Sequence, residues 1–578
     1  MTASIHIDAD ATFTRAADWH AIDWQACCQE VRKLQARIAK AVREGRWRKV
    51  KALQWLLTHS FSAKALAVRR VIENQGKHTP GVDGITWNTP AEKSEAIDAL
   101  KRRGYQPKPL RRVYIPKSNG KHRPLSIPVK KDLAMQALHK LALEPIAETI
   151  ADPNSYGFRP ERCTADAIAC LFNALSHKGS PQWILEGDIK ACFDKISHQW
   201  MSQHICTDTK VLEQWLKAGF VEKGTLFPTT QGCPQGGIIS PVAANMVLDG
   251  LEDMLNAFYG LQKADQYDRR ARRNKVHFVR YADDFVITGN SKELLEDEIK
   301  PLAREFLAER GLELSEEKTK VTHISDGFDF LGQNVRKYCF GKPNEKLLIK
   351  PAKKNVKAFL DGIRDTIHAL KTAKQETVIE ALNPKITGWA NYHRHVVAKA
   401  IFSKVDNSLW RALWNWAQRR HRNKNRHWIC SRYFHPIGSR SAVFSCKVVP
   451  EDGSEKKLCL KRMDDVPIKR HVKIQAAATP FDPSYEQYFE SRNAMKMADH
   501  FGGRRKLLYL WRQQNGLCPI CAERITRETG WHCHHLVRRV DGGTDAVSNL
   551  CLLHPVCHRQ GHSAGFRYVL PVGPENLT

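Results

Sequence analysis

The sequence predicts a multidomain α/β protein with a small Cys/His-stabilised module at its C-terminal end, and three observations lead there. At 578 residues the chain is too long for one hydrophobic core, so three or more domains are expected. Helical periodicity alternates with short β-rich runs as far as about Val335. Beyond about Phe501, Cys and His residues fall at metal-ligand spacing. Hydrophobic residues make up 42% of the chain, enough for globular folding throughout, and no apolar run is long enough to cross a bilayer.

The N-terminal stretch MTASIHIDADATFTRAADWH is acidic and mixed and lacks the basic-then-apolar order of a signal, so a soluble, cytoplasmic protein is expected. From about Trp24 to Leu66, apolar positions recur at helical spacing on a basic ground. NQGKHTPGVDGITW reads as a Gly/Pro-rich connector. In RRVYIPKSNGKHRPLSIPV, two β-rich runs flank Ser118-Asn119-Gly120, a strong hairpin signal, and KKDLAMQALHKLALEPIAETI follows as a helix. Val356, Phe359, Leu360, Ile363, Ile367 and Leu370 form one helical stripe, read as core packing in a bundle. WRALWNWAQRRHRNKNRHW then interleaves Trp with Arg.

The chain carries 91 Lys and Arg against 61 Asp and Glu, a formal charge of +30 spread along its whole length. That footprint suits a polyanion held over a long surface, so nucleic acid is the leading partner. Acidic lipid is the weaker choice without a clear amphipathic membrane helix. Of the 16 Cys, most stand alone, as Cys27, Cys28, Cys170 and Cys206 do, and read as reduced structural thiols.

In FVRYADDFVI, Asp283 and Asp284 occupy the tight turn between two short apolar strands. Adjacent carboxylates repel each other and lose hydration there, which is unfavourable unless a cation sits beside them. Upstream, WILEGDIKACFDKIS ends an apolar strand in Asp188. A strand-end carboxylate and a hairpin-turn pair can converge on two divalent cations held ~4 Å apart, the arrangement that promotes phosphoryl transfer. Three acidic oxygen donors suit Mg²⁺.

These residues resemble a known family. DIKACF, QGCPQGGIISP (Gln231 to Pro241) and YADD look like the palm motifs of reverse transcriptases. KSNGKHRPLSIP, YGFRPERC, LSEEKTKVTHI and FDFLG look like those of group II intron-encoded proteins, in an ordered series from about Gly81 to Gly332. The resemblance implies a right-hand polymerase. Its fingers and palm would cover 71–335, after an N-terminal helical extension over 1–70. A helical thumb with the maturase region (domain X) would cover 336–425, and a DNA-binding domain 426–500.

By the same resemblance, Asp188 and Asp283 bridge two Mg²⁺ ions, with Asp284 adding charge nearby. Phe193 packs against the incoming sugar and favours dNTPs; an ordinary core phenylalanine fits the same pattern. Gln235 contacts the incoming nucleotide, while Gly236 and Gly237 let backbone approach it closely. Lys117 and Arg123, on opposite arms of the fingers hairpin, hold the triphosphate or else are solvated surface charges. Asp194 is expected to cap a helix N-terminus. In LNPKITGWANYHRHV, Trp389, Tyr392, His393 and Arg394 offer stacking faces and phosphate donors to RNA, although the two aromatics at three-residue spacing also fit a core.

The C-terminal segment, 501–578, has chemistry of its own. Cys518-Pro-Ile-Cys521 and His554 with Cys557 in HPVCH make two knuckles of a tetrahedral Zn²⁺ site, which would stabilise a domain with little core. Cys533 and Cys551 are spare thiols that could compete. The order HCHH, SNL, CHRQGH between and after the knuckles resembles an HNH (ββα-metal) nuclease. The resemblance makes His535 the general base, His534 and His558 ligands of a catalytic divalent ion, and Asn549 the residue orienting the base's loop. His562 is a further ligand or a surface residue. A purely structural zinc finger is the alternative.

The whole pattern resembles a bacterial or organellar group II intron-encoded protein. Such a protein would bind its intron RNA, promote splicing, nick target DNA with its HNH domain and copy the intron from the new 3′-OH. A splicing maturase with a dead polymerase, a reverse transcriptase of a defence or diversity-generating system, and a non-cutting zinc finger are the competing expectations. Whether the protein acts as a monomer or a dimer is left open.

Overall fold

A computed structural model describes residues 19–116, 120, 122–259, 274–341, 345–448, 455–501, 505–537, 542, 544 and 546–564. The N-terminal layer comprises α1 (Trp24–Arg43), α2 (Trp47–His59) and α3 (Phe61–Glu73). Asp23 and Ser60 cap α1 and α3 by accepting hydrogen bonds from the backbone N–H of Ala26 and Ala63. α3 runs across residue 70, so the expected boundary there falls inside a helix: Ala65, Val68, Val71 and Ile72 form one unbroken buried face. After α4 (Pro90–Asp98), these helices share a core with α5 (Lys130–Ile150).

The two β-rich runs pair as expected, β1 (Leu110–Pro116) antiparallel to β2 (His122–Ile127), while Ser118 and Asn119 of the expected turn lie outside the described residues. Lys117 lies outside the described residues. This fingers sheet has the order β2-β1-β4-β5, where β4 (Phe220–Glu222) pairs parallel to β1 and β5 (Thr225–Phe227) closes it.

The palm sheet joins β3 (Trp183–Asp188), β6 (Phe278–Tyr281), β7 (Asp284–Gly289) and β8 (Lys320–His323) in the order β6-β7-β3-β8, all antiparallel. β6 and β7 are buried on both faces and are mostly apolar on both, whereas β8 at the edge of the sheet has no buried residue. Leu185, Phe278, Phe285 and Ile287 join the core under the N-terminal helices. Ile184, Val279 and Val286 point the other way, toward α6 (Thr164–Leu175) and the following domain. The sheet is thus the wall between two cores, and its β3 and β7 ends are held on both sides.

Beyond the palm, β9 (Phe328–Phe330), β10 (Gln333–Cys339) and β11 (Glu345–Pro351) make a small sheet beside helices 353–369, 375–393 and 399–420. The Val356–Leu370 stripe packs inward as expected, with Ile363 and Ile367 buried. A short helix, 426–433, leads to a sheet of β12 (Phe434–Ile437), β13 (Arg440–Val448) and β14 (Lys456–Cys459). Helices 486–500 and 505–513 lead into the hairpin of β15 (His532–His535) and β16 (Leu550–Leu553), closed by helix 555–564. Among the described residues, no helix is long and apolar enough to cross a membrane.

Candidate functional site

The palm site is built by strand pairing. Register places Asp188, the last residue of β3, directly opposite Asp284, the first of β7. Tyr281 pairs with Asp284, leaving Ala282 and Asp283 as a two-residue turn in which Ala282 takes a φ of 58°. Three carboxylates from two distant segments therefore meet at one edge of the sheet. Burial pushes the Asp283 carboxyl up, and Asp188 adds to the effect while Arg123 and Lys318 oppose it. Asp284 is exposed yet its carboxyl is pushed up to about 6, by desolvation first and then by Asp283 and Asp188. Lys318 donates to Asp188 Oδ2 at 2.8 Å. A cluster that resists its own negative charge and draws in a lysine fits a divalent cation.

Two residues that sequence reasoning passed over hold this turn. Arg280 is 1% exposed, ion-paired to Asp249, and donates to Asn245 Oδ1 at 3.2 Å and to the Ala282 carbonyl at 3.4 Å. Its signal was a lone charge inside the apolar run FVRY. Lys318 sits in LSEEKTKVTHI, where nothing local distinguishes it from neighbouring surface charges.

The remaining nucleotide-site residues lie around the carboxylates. Arg123 is exposed on β2, with its charge felt at Asp283. Phe193 is half-buried and meets Phe158 edge-on at 6.4 Å between ring centroids. Gln235 is half-buried in a loop whose backbone is tied to the fingers, its carbonyl accepting from Ser126 N at 2.7 Å. The glycines after it have a reason within the fold. Gly236 has φ +125°, and an added Cβ would strike the Ser126 carbonyl; a Cβ at Gly237 would lie 2.7 Å from Gln136 Oε1. They let the loop close onto β2 and α5, a role separate from approach to a nucleotide.

Two expectations are corrected. Asp194 does not cap a helix: helix 192–195 starts from Ala191, which takes a left-handed φ of 48°, so Asp194 already lies within the first turn. The proposed RNA-facing group divides in two. Trp389 and His393 stand one turn apart and face inward. His393 is 0% exposed, between Gln333 and Asn355. Trp389 stacks on Phe359 at 4.9 Å and donates to Asn355 Oδ1 at 3.0 Å. Tyr392 is exposed, with its hydroxyl donating to the Leu331 carbonyl at 2.8 Å, and Arg394 is half-buried at the helix C-terminus. Of the four, His393 is closed off, Trp389 and Arg394 are half-buried, and Tyr392 is exposed.

At the C-terminal end, the donor atoms of Cys518, Cys521, His554 and Cys557 all lie within 4.8 Å of one another, and all four residues are buried. Neither Cys533 nor Cys551 joins them: Cys533 is exposed on β15, and Cys551 is buried on β16. His554 Nε2 is 3.1 Å from the Arg524 carbonyl, which assigns the proton to Nε2 and turns Nδ1 toward the sulfurs, 3.3 Å from Cys521 Sγ. Burial disfavours the His554 imidazolium, but bonds to Cys518 and Cys521 outweigh it and push the group up to about 10. The Cys518 thiol is pushed down by Cys521 and Cys557, whereas contact with Cys518 pushes Cys557 up. Together the four side chains make a buried Cys₃His donor set that could bind zinc.

Beside it, alternation along β15 separates His534 from His535. His534 is buried and faces His558, 4.9 Å between ring centroids, while His535 is half-buried on the other face. Asn549 braces the loop after His535: its Oδ1 accepts from Val537 N at 2.7 Å, and its Nδ2 donates to the carbonyls of Val537 and Thr544. His532, unmarked by the motif, shares the His534 face and brings Nδ1 within 3.4 Å of His558 Nδ1. His562 lies on helix 555–564, but its side chain is outside the described residues.

Comparison with known proteins follows this layout. Residues 115–335 match the family description "Reverse transcriptase (RNA-dependent DNA polymerase)", and residues 19–100 match the "N-terminal domain of reverse transcriptase". Residues 356–434 match the "Group II intron, maturase-specific domain" and 518–564 match "HNH endonuclease". Protein YkfC of Escherichia coli K12 is 35% identical over 303 residues, 47% of this chain and 79% of its own length. The group II intron-encoded protein LtrA of Lactococcus lactis is 30% identical over 395 residues, 58% of this chain and 64% of LtrA. The chain belongs to the group II intron-encoded reverse transcriptase–maturases and carries an HNH domain. Within this family of multifunctional intron proteins, the palm edge lies in the reverse transcriptase match, Tyr392 and Arg394 in the maturase match, and the Cys₃His group in the HNH match.

Proposed function

We propose that this protein binds its intron RNA and promotes splicing, nicks one strand of target DNA, and copies the intron from the resulting 3′-OH. One observation carries the polymerase reading: Asp188 and Asp284 are direct cross-strand partners, with Asp283 in the adjoining turn. The charge-strained carboxylates and the lysine beside them fit Mg²⁺. Asp188 and Asp283 would hold two ions and Asp284 would lend charge. When bound, these ions activate the attacking 3′-OH and stabilise the departing pyrophosphate.

The chain supplies the rest. Arg123 would take a triphosphate oxygen from β2, with Lys117 across the hairpin. Phe193 would pack against the sugar of the dNTP and exclude a 2′-OH, and Gln235 would meet the nucleotide beside it. Tyr392 and Arg394 would contact RNA by stacking and by phosphate binding. In the HNH module, Cys518, Cys521, His554 and Cys557 would hold a structural Zn²⁺. His534 and His558, with His562 on the same helix, would hold the nuclease's divalent ion. His535 would take the proton from the attacking water, with Asn549 fixing its loop. The domain limits at about 335, 425 and 500 belong to this reading.

Primer extension on an RNA template with Mg²⁺ and dNTPs, comparing wild type with Asp283→Ala, tests it. Extension in wild type that vanishes in Asp283→Ala, with RNA binding retained, supports the two-ion polymerase. No extension in either leaves a splicing cofactor with a relic palm.

A further inference from the structure

We infer that a basic cleft between the N-terminal layer and the nuclease helix is a subsite for single-stranded DNA, taking one phosphate and its adjoining base next to the HNH site. The inference deepens the nuclease reading above and rests on it. The cleft has a volume of about 320 Å³, at the small end for ligand sites, which suits one nucleotide and excludes a duplex. Buried Ile72 and Val556 form its floor. Lys77, Lys93 and Arg559 bring cationic groups to it from three separate elements: the turn after α3, α4 and helix 555–564. Arg559 follows His558 directly, and successive side chains diverge by about 100° around a helix. His558 faces β15 and His534, so Arg559 turns into the cleft. The cleft begins where the nuclease histidines end.

Charge and shape point to a nucleic-acid strand. No acidic side chain lines the cleft among the described residues. Glu92, the adjacent acid, accepts from the backbone N–H of Asn88 and Thr89 at 2.7 and 2.8 Å, as part of the α4 capping box. Lys93 donates to the Asn88 carbonyl at 3.1 Å. Burial pushes its ammonium down, with Arg559 and Lys77 adding repulsion and Glu92 opposing. A phosphate placed among these cations would relieve the repulsion. Half-buried Trp87 stands beside them and offers a surface for the attached base.

The test uses the full chain with zinc and Mg²⁺ and a fluorescent single-stranded DNA. In Lys77→Gln/Lys93→Gln, DNA affinity should fall, and the slope of log affinity against log salt should flatten by about 0.7, the value for one lost phosphate contact. In Trp87→Ala, affinity should fall about fivefold or more with the slope unchanged. Primer extension on an RNA template should persist in both variants, showing that the fold is intact. Unchanged affinity and slope overturn the inference, as does a fall in intron-RNA affinity with DNA binding intact. His535→Ala separates the two readings. If wild type and His535→Ala both fail to nick while the Gln variant still loses DNA affinity, the nuclease reading fails and the DNA subsite stands. If wild type nicks and the Gln variant binds DNA normally, the subsite fails and the nuclease stands.

Discussion

Gly157→Ala should cripple polymerisation without unfolding the protein, and the reason lies under the YADD turn. Gly157 belongs to YGFRPERC, whose backbone runs against β6: Tyr156 N donates to the Arg280 carbonyl at 2.9 Å, and Asn245 Nδ2 donates to the Gly157 carbonyl at 2.7 Å. Its own φ is not in the left-handed region, so alanine is acceptable to the local backbone. The obstacle is the space above it. An added Cβ would overlap Ala282 N and lie 2.9 Å from Tyr281 C and 3.0 Å from Ala282 Cα, all backbone atoms of the turn that carries Asp283. Because carbon contacts settle at ~3.5 Å and Ala282 N is the nearest of these atoms, the turn must retreat by about 1 Å. It can retreat only as a unit, since Arg280 is fixed below it to Asp249 and Asn245. Displacements near 1 Å cost on the order of 100-fold in rate, so single-turnover extension should slow by about 10- to 100-fold. The strain should also lower stability by about 1–3 kcal/mol. RNA affinity and DNA nicking serve as controls and should not change. Extension within about twofold of wild type would refute the claim that the position of Asp283 is pinned from below.

Three further outcomes are expected. Stripping zinc, or Cys518→Ser, should make the HNH segment sensitive to limited proteolysis and abolish nicking, while primer extension survives once Mg²⁺ is restored; a protease-resistant stripped module would sink the structural-zinc assignment. Asp166→Asn should cost about 3 kcal/mol, because Asp166 is 0% exposed and the substitution leaves buried Arg492 without its anion. Burial opposes ionisation of Asp166, but His471 and then Arg492 outweigh it and hold the carboxyl well below the usual range. Its contribution is therefore complete above the unfolded value of about 3.9 and is lost as pH falls further, so the melting gap between wild type and Asp166→Asn should narrow only in acid. Arg394→Ala should weaken intron-RNA binding and flatten its salt dependence, whereas His393→Ala should lower the melting temperature by leaving Gln333 and Asn355 unpaired. Equal effects of these two on RNA affinity would overturn the division of that helix into inner and outer faces.

What could be read from sequence and what could not divide along a physical line. The palm strands were legible because alternation and turn chemistry are local, and two adjacent carboxylates in an apolar hairpin are conspicuous. The Cys₃His group was legible because ligand spacing within each knuckle is short. The inward turn of His393 was not, since helical spacing defines a face but does not say which neighbour covers it; Gln333 and Asn355 do so from other elements. Arg280, Lys318 and His532 went unnoticed for the same reason. Each acts through a partner that only tertiary pairing brings near: Asp249, Asp188 and His558. Gly157 lies within YGFRPERC, but the reason for a glycine there lies in a turn far along the chain.

The same logic bears on how the nuclease module is attached. Cys518, Cys521, Leu550, Leu552 and Cys557 belong to one hydrophobic cluster with α1, α3 and α5, so the module is not a separate bead on a linker. Polar contacts follow the apolar ones: Arg32 pairs with Glu523 beside the first knuckle, and Arg69 directs a guanidinium nitrogen at Cys557 Sγ from 3.8 Å. A donor to a zinc thiolate stabilises the charged sulfur and orients the ligand. Arg69 is itself 8% exposed and bound to Glu73 at 2.8 Å, so it cannot turn to solvent when the sulfur changes state. Loss of the metal would protonate the thiolate and leave that cation facing a neutral sulfur across the docking surface. Metal binding at the Cys₃His group would therefore be coupled to packing of the N-terminal helices, and added zinc should raise the protection of α3 amides in hydrogen exchange as well as those of the knuckles.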